Sequence, residues 1–112
     1  MPLLTFLDLS NNKIAEIYEK NFDKQALLQT LYLNHNRIAK IAPKSFESLL
    51  QLRILDLSYN KLKTLTFDMF GAKFAGNKLR KINLSFNELT VIDAALFATL
   101  RGLTSLNVSG VS

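Results

Sequence analysis

One pattern of apolar residues recurs five times along the chain and constrains its fold more than any other feature. Each copy reads leucine, two residues, leucine, one residue, leucine, with occasional isoleucine or valine, and the first four copies continue with an asparagine and a further aliphatic residue. The copies start at Leu4, Leu28, Leu52, Leu79 and Leu103, so their spacings are 24, 24, 27 and 24 residues. Such a period is typical of stacked coils, in which each coil buries its apolar side chains only against its neighbours.

Each position of the repeat has a physical explanation. The last two leucines are two residues apart, so both face the same side of a short strand, and the residue between them faces solvent. The asparagine follows the strand, where its amide can satisfy buried backbone groups in the turn. A phenylalanine eighteen positions after each first leucine is expected to stack along the far side of the core. The asparagines are Asn12, Asn36, Asn60 and Asn87, and the phenylalanines are Phe22, Phe46, Phe70 and Phe97.

Local signals predict the segments between the strands. The third copy has three additional residues between positions 71 and 78, and the two glycines there favour a loose loop. Asp93 ahead of residues 94–98 predicts a capped helix. Pro43 ahead of residues 44–47 predicts the first turn of a second helix.

This register resembles the 24-residue "typical" class of leucine-rich repeats, found in Toll-like receptor ectodomains, small leucine-rich proteoglycans and other secreted or cell-surface recognition proteins. The resemblance extends from about Leu3 to Val108. It implies an α/β fold, a right-handed solenoid with a parallel sheet of about five short strands on the concave face and short helices or turns on the convex face. Residues 1–112 are predicted to form one such solenoid.

The chain departs from the pattern of the family at its two ends. Extracellular members usually carry cysteine-rich caps, and this chain has no cysteine. It starts at the tail of a coil, and Val111 stands where a fifth asparagine belongs. A fragment, an unusually short member and a capless assembly unit are the three interpretations.

Composition excludes several classes of protein. With 48% hydrophobic residues the chain is not intrinsically disordered. No apolar run approaches the ~18 residues of a membrane span, so membrane insertion is not expected. Met1 leads directly into the repeat without a secretory signal. An extracellular or cell-surface location for the parent protein is implied by the resemblance alone.

The solvent-facing strand positions form columns about 4.8 Å apart and are the predicted ligand surface. Aromatic and aliphatic groups alternate there with polar ones, as they do in protein interfaces. The predicted function is non-enzymatic binding of a macromolecular partner in extracellular immune-type recognition. The expected partner is a protein. A self-assembling structural unit and an intracellular scaffold or regulator are the alternatives. The predicted ligand contacts are Phe6, Asp8, Tyr32, Ile54, Asp56, Tyr59, Lys81, Asn83 and Phe86.

The net charge of +5 is unevenly distributed, and Arg53, Arg80 and Lys81 form a predicted basic patch. Such a patch suits an anionic partner, for example an acidic protein or a sulfated glycan, although a solvated basic flank is the favoured explanation. No module of interleaved aromatic and basic residues is recognisable in the sequence. Nucleic acid is therefore not expected as a partner.

The sequence contains no group of residues whose types and spacing suit catalysis. Asp8 and Asp56 lie two coils apart, about 10 Å, on an open sheet without the cleft that paired carboxylates need. The single histidine, His35, is interpreted as a surface residue of a turn. No catalytic residue, metal or cofactor is predicted.

Two further features concern modification and assembly. Asn83 and Asn107 each begin an Asn-x-Ser acceptor for N-glycosylation, although two such triplets are close to chance expectation. At the last coil, Leu103, Leu106 and Val108 have a neighbouring coil on one side only. A homo-oligomer is therefore predicted, with a twofold dimer through this end favoured over head-to-tail stacking.

Overall fold

The computed structural model describes residues 4–71, 74 and 76–108, in which each coil of the repeat contributes one three-residue strand to a parallel sheet. The sheet order is β1-β3-β5-β7-β9, so each strand pairs with the strand of the next coil. In chain order the strands are β1 (Phe6–Asp8), β2 (Glu16–Ile17), β3 (Thr30–Tyr32), β4 (Lys40–Ile41), β5 (Ile54–Asp56), β6 (Thr64–Leu65), β7 (Lys81–Asn83), β8 (Val91–Ile92) and β9 (Ser105–Asn107).

The register of the sheet follows the repeat without a slip. Leu31 lies between Leu7 and Leu55, and Ile82 lies between Leu55 and Leu106. The three additional residues of the third coil therefore do not shift the pairing of β5 with β7. Because side chains alternate along a strand, the central residue of β3, β5 and β7 points into the core while both of its neighbours stay accessible.

Two small parallel sheets, absent from the sequence-based expectations, join the coils after the asparagine turn. β2 pairs with β4, and β6 pairs with β8. They contain the recurring aliphatic position, since Ile17 lies beside Ile41 and Leu65 beside Ile92. The backbone groups of these segments are thus satisfied between coils rather than within helices.

The phenylalanines pack as a column through the core, as predicted. The ring centroids of Phe22 and Phe46 are 6.1 Å apart, and those of Phe46 and Phe70 are 5.5 Å apart. The side chain of Phe97 lies outside the described residues. Phe74 continues the column at 4.8 Å from Phe70 and is fully buried. The segment that holds the three additional residues thus contributes an aromatic ring to the core, which the sequence-based expectation of a loose loop did not include.

The asparagine ladder is confirmed for three of the four coils. Asn36, Asn60 and Asn87 are buried, and each side-chain amide hydrogen-bonds its own turn and the preceding coil. Asn12 in the first coil is exposed and donates only to the carbonyl oxygens of Leu9 and Ser10 in its own turn.

The two predicted helices had different outcomes. Helix α1 (Ala94–Thr99) forms, and the Asp93 carboxylate accepts the Ala95 N–H at 3.0 Å. The predicted helical turn after Pro43 was wrong. Lys44 has φ +65, outside the right-handed helical region, and its N–H donates to the Asp68 carbonyl of the next coil. Short 3-10 helices, not predicted, span Glu19–Asn21 and Phe67–Met69.

Among the described residues no helix is long and apolar enough to cross a membrane.

Candidate functional site: the concave face and the turn beside it

The concave face is defined here as the solvent-accessible side of the five-stranded sheet. Its two columns run across all five strands and contain most of the residues predicted to contact a ligand. The central column is Asp8, Tyr32, Asp56, Asn83 and Asn107, and the column beside it is Phe6, Thr30, Ile54, Lys81 and Ser105.

Two clusters divide this face. At the first two coils, the rings of Phe6 and Tyr32 meet edge to face with centroids 5.4 Å apart, and Phe6 is well exposed. Over the later coils lies a shallow cavity of about 280 Å³, whose lining includes Tyr32, Ile54, Asp56 and Lys81. Aromatic, aliphatic, anionic and cationic groups therefore adjoin one another on one accessible surface, a combination that suits a protein ligand better than a small molecule.

Among the described residues, the same turn closes the end of three of the five central-column strands. Asp8, Asp56 and Asn83 each accept the N–H and the hydroxyl hydrogen of the serine two residues later, at 2.5 to 3.0 Å. The serines are Ser10, Ser58 and Ser85, and the last two are buried rather than solvent-facing. The hydrogen bonds from the Ser10 hydroxyl and N–H lower the pKa of Asp8 below its usual value of 3.8.

This turn bears on the predicted glycosylation acceptors. Asn83 Oδ1 accepts the N–H and the hydroxyl hydrogen of Ser85, as the aspartate carboxylates accept those of their serines. The turn alone therefore accounts for an Asn-x-Ser triplet at this position. Asn107 lies beside Asn83 in the register, and Ser109 lies outside the described residues. Glycosylation of either asparagine remains a prediction.

Tyr59 and Phe86, both predicted as ligand contacts, lie in the turn after the strand, just before the ladder asparagine. Together with His35 they form a stack that we call the aromatic column. The ring centroids of His35 and Tyr59 are 4.2 Å apart, and those of Tyr59 and Phe86 are 4.5 Å apart, with planes within 14° of parallel. Tyr59 and Phe86 are nevertheless 46% and 47% exposed.

The backbone at the aromatic column is left-handed. His35, Tyr59 and Phe86 have φ values of 56, 55 and 57, and Asn11 at the same position of the first coil has φ 58. Asparagine and histidine are enriched in this conformation, whereas bulkier residues such as tyrosine and phenylalanine adopt it rarely. The repeat register aligns these residues at one position, but the sequence did not predict the close stacking of the three rings.

The residues of the predicted basic patch occupy adjacent strands and their flanks. The N–H groups of Arg80 and Lys81 both donate to the Arg53 carbonyl, which places the three residues side by side. The Arg80 guanidinium donates to the carbonyl oxygen of Gly102, the last residue of the same coil, at 3.2 Å. Arg53, Arg80 and Lys81 are exposed.

Both ends of the solenoid expose apolar side chains in the described part of the chain. At the last coil Leu106 and Val108 are 38% and 36% exposed, and Leu103 is half-buried. At the first coil an apolar cavity of about 520 Å³ is lined by Leu4, Leu7, Leu9, Ile14 and Phe22 among others. The residues predicted to form an oligomer edge are thus accessible.

Metal chemistry finds no support in the described ranges, which contain no group of three or more histidine, cysteine, aspartate or glutamate residues able to hold an ion.

Comparisons with known proteins agree with this architecture. Models of the leucine-rich repeat match residues 3–24, 26–72 and 78–100. No curated protein sequence matches the chain. Among solved structures, the crystal structure of a TLR13–ssRNA13 complex is similar, with a TM-score of 0.72 and 25% sequence identity. The match covers 95% of this chain but only 19% of that one, so the chain corresponds to about a fifth of the TLR13 chain. The repeat register, the continuous parallel sheet and the asparagine ladder, together with these matches, establish that the chain belongs to the leucine-rich repeat family.

Proposed function

We propose that the protein is a non-enzymatic recognition module that binds a protein partner through its concave face. This proposal rests on one observation: the Phe6–Tyr32 ring pair lies next to the cavity lined by Ile54, Asp56 and Lys81. Aromatic anchors next to mixed charges are the composition of interfaces in which a few residues supply most of the binding energy. An open sheet without a deep cleft offers area for a macromolecule and little enclosure for catalysis.

An extracellular, immune-type setting is part of the proposal. It is supported by the register typical of secreted and cell-surface repeat proteins and by the likeness to TLR13. Because the chain corresponds to about a fifth of that protein, the activity of the whole receptor is not transferred to it.

The expectation that nucleic acid is not a partner finds no support. The TLR13 structure contains ssRNA13, so a repeat fold similar to this one accommodates a single-stranded nucleic acid.

Self-assembly is a second candidate function, favoured by the exposed Leu106 and Val108 at the last coil and by the apolar cavity at the first. Each end exposes a strand edge and part of the core. A second copy would cover both.

The binding proposal is tested with a panel of purified secreted and cell-surface ectodomains applied to the immobilised chain by interferometry. Each binder is measured again with Tyr32→Ala and Ile54→Ala. At least one change is expected to weaken binding by more than about fivefold, about 1 kcal/mol. Val91→Ala, an exposed residue of β8 outside the concave face, is the matched control and should leave affinity unchanged. Binders that tolerate both concave-face changes would contradict the proposal.

A further inference from the structure

The aromatic column places large rings where the backbone favours small polar residues. Asn11 shows that an asparagine fits the left-handed position, yet the next three coils carry histidine, tyrosine and phenylalanine there. Exposed rings at a strained backbone position gain little from burial. Strain of this kind is a recognised mark of functional surfaces. The stack is therefore a feature that core packing does not explain.

A second column of exposed residues runs beside the rings. In each of the first four coils the ladder asparagine separates the ring position from a residue two places later, and both flanking positions are exposed. In the first three coils that residue is a cation. We call Lys13, Arg37 and Lys61 the cation column. In the fourth coil the position is occupied by Glu88.

The two ends of the aromatic column have different surroundings. Within the stack the inner ring faces cover one another, so a flat ligand can stack only at an end of the column. At the His35 end the preceding coil presents Asn11, whose amide donates to Ser10 Oγ, and Ser10 Oγ in turn donates to the Asp8 carboxylate. The nearby cations are Lys13, Arg37 and Lys61, which outnumber this one carboxylate. At the Phe86 end the neighbouring charge is Glu88, which repels anions.

We propose that the His35 end of the aromatic column, with the cation column, binds single-stranded nucleic acid. A base stacks on the outer face of His35 once the Asn11 side chain, one coil away, turns aside, and the phosphates lie along Lys13, Arg37 and Lys61. Aromatic faces combined with a line of cations are what sequence-tolerant recognition of single strands requires. The three cations span about 10 Å, which is two inter-strand spacings of the sheet. This length is greater than that of one phosphate group and suits several phosphates of a nucleic-acid strand. This surface is distinct from the concave face proposed for a protein partner.

The experiment measures the fluorescence anisotropy of a labelled twelve-residue thymidine oligonucleotide titrated with the whole chain. The ring variants are His35→Asn and Tyr59→Asn. Because asparagine occupies this position in the first coil, both variants should fold, and thermal melting should show no loss of stability. Each is expected to weaken binding by about tenfold or more, since a base loses its stacking platform or the support beneath it.

Matched variants separate this site from its alternatives. Tyr32→Ser removes a ring from the concave face and should leave oligonucleotide affinity unchanged. Lys61→Gln should reduce the slope of log affinity against log salt concentration by about 0.7. Lys40→Gln, an exposed lysine of β4 outside the cation column, should leave the slope unchanged.

Three results would overturn the proposal. The first is unchanged affinity in both ring variants. The second is an equal loss in Lys61→Gln and Lys40→Gln, which indicates diffuse attraction to a basic protein. The third is equally tight binding of an abasic oligonucleotide of the same length. None of these results bears on protein binding at Tyr32 and Ile54, so the two proposals fail independently.

Discussion

The side-chain amide of Asn60 donates from Nδ2 to the carbonyl oxygen of Leu33, 2.9 Å away and 27 residues earlier in the chain. The same amide donates to the carbonyl of Leu57 in its own turn, and its Oδ1 accepts the N–H of Ile38. One side chain thus joins the turn of one coil to that of the preceding coil. Repeated by Asn36 and Asn87, this bond links the first four coils along one side of the sheet.

Replacing Asn60 with alanine is expected to lower the free energy of unfolding by about 1–3 kcal/mol, because it leaves the buried Ile38 N–H without its acceptor. The measurement is the midpoint of urea denaturation. Asn12→Ala is the control, since Asn12 is exposed and bonds only its own turn, and it should shift the midpoint far less. Equal shifts in the two variants would contradict the ladder as a link between coils.

Phe74→Ala is expected to cost about 3–5 kcal/mol, although the residue lies in the three-residue insertion of the third coil. The ring is fully buried against Phe70, and its removal leaves a cavity that the coil cannot fill. Thermal and urea melts measure the loss. Phe67→Ala, a half-buried ring of the same coil, serves as the comparison and should cost clearly less. A Phe74 variant as stable as the parent would mean that the insertion does not contribute to the core.

The Asp8 carboxylate is expected to titrate below 3.8, because Ser10 donates two hydrogen bonds to its charged form. A lowered pKa in the folded state contributes stability that is present above about pH 4 and is lost as the pH falls through the folded-state pKa. Ser10→Ala should therefore raise the pKa of Asp8 towards 3.8 and flatten this acid dependence. The carboxyl chemical shift followed by NMR from pH 6 to 2 measures it. Ser58→Ala, the equivalent change two coils away, should leave the Asp8 titration unchanged.

The isolated chain is expected to self-associate with rising concentration through its last coil. Leu106 and Val108 are partly exposed, and covering apolar side chains of this size contributes up to about 1.5–3 kcal/mol each. Light scattering across a concentration series gives the mass, and Val108→Asp should shift the chain to the monomer. Val91→Asp is the control, since Val91 is more exposed but lies on β8, away from the last coil. A chain that stays monomeric, or an oligomer indifferent to Val108→Asp, would contradict end-to-end assembly.

Sequence alone predicted the stacked coils, the parallel sheet, the buried asparagines and the phenylalanine column. These features share one cause. A residue that must be buried against the same position of the next coil has to recur with the period of the coil, so its role is visible as a column in the sequence. The cap of helix α1 was predictable for a different reason, since Asp93 and Ala95 are neighbours in the chain and their hydrogen bond is local.

Only the tertiary structure decided the contacts between residues of different coils that no recurring residue type marks in the sequence. Pro43 is followed by no helix because the Lys44 N–H donates to the Asp68 carbonyl, a partner one coil away. Phe74 enters the core although it lies outside the repeat register. The repeat aligned His35, Tyr59 and Phe86 at one position, but the left-handed turn was needed to bring the first two rings within 4.2 Å. Burial that recurs with the period of the coil is visible in the sequence, whereas individual contacts between coils form only when the coils stack.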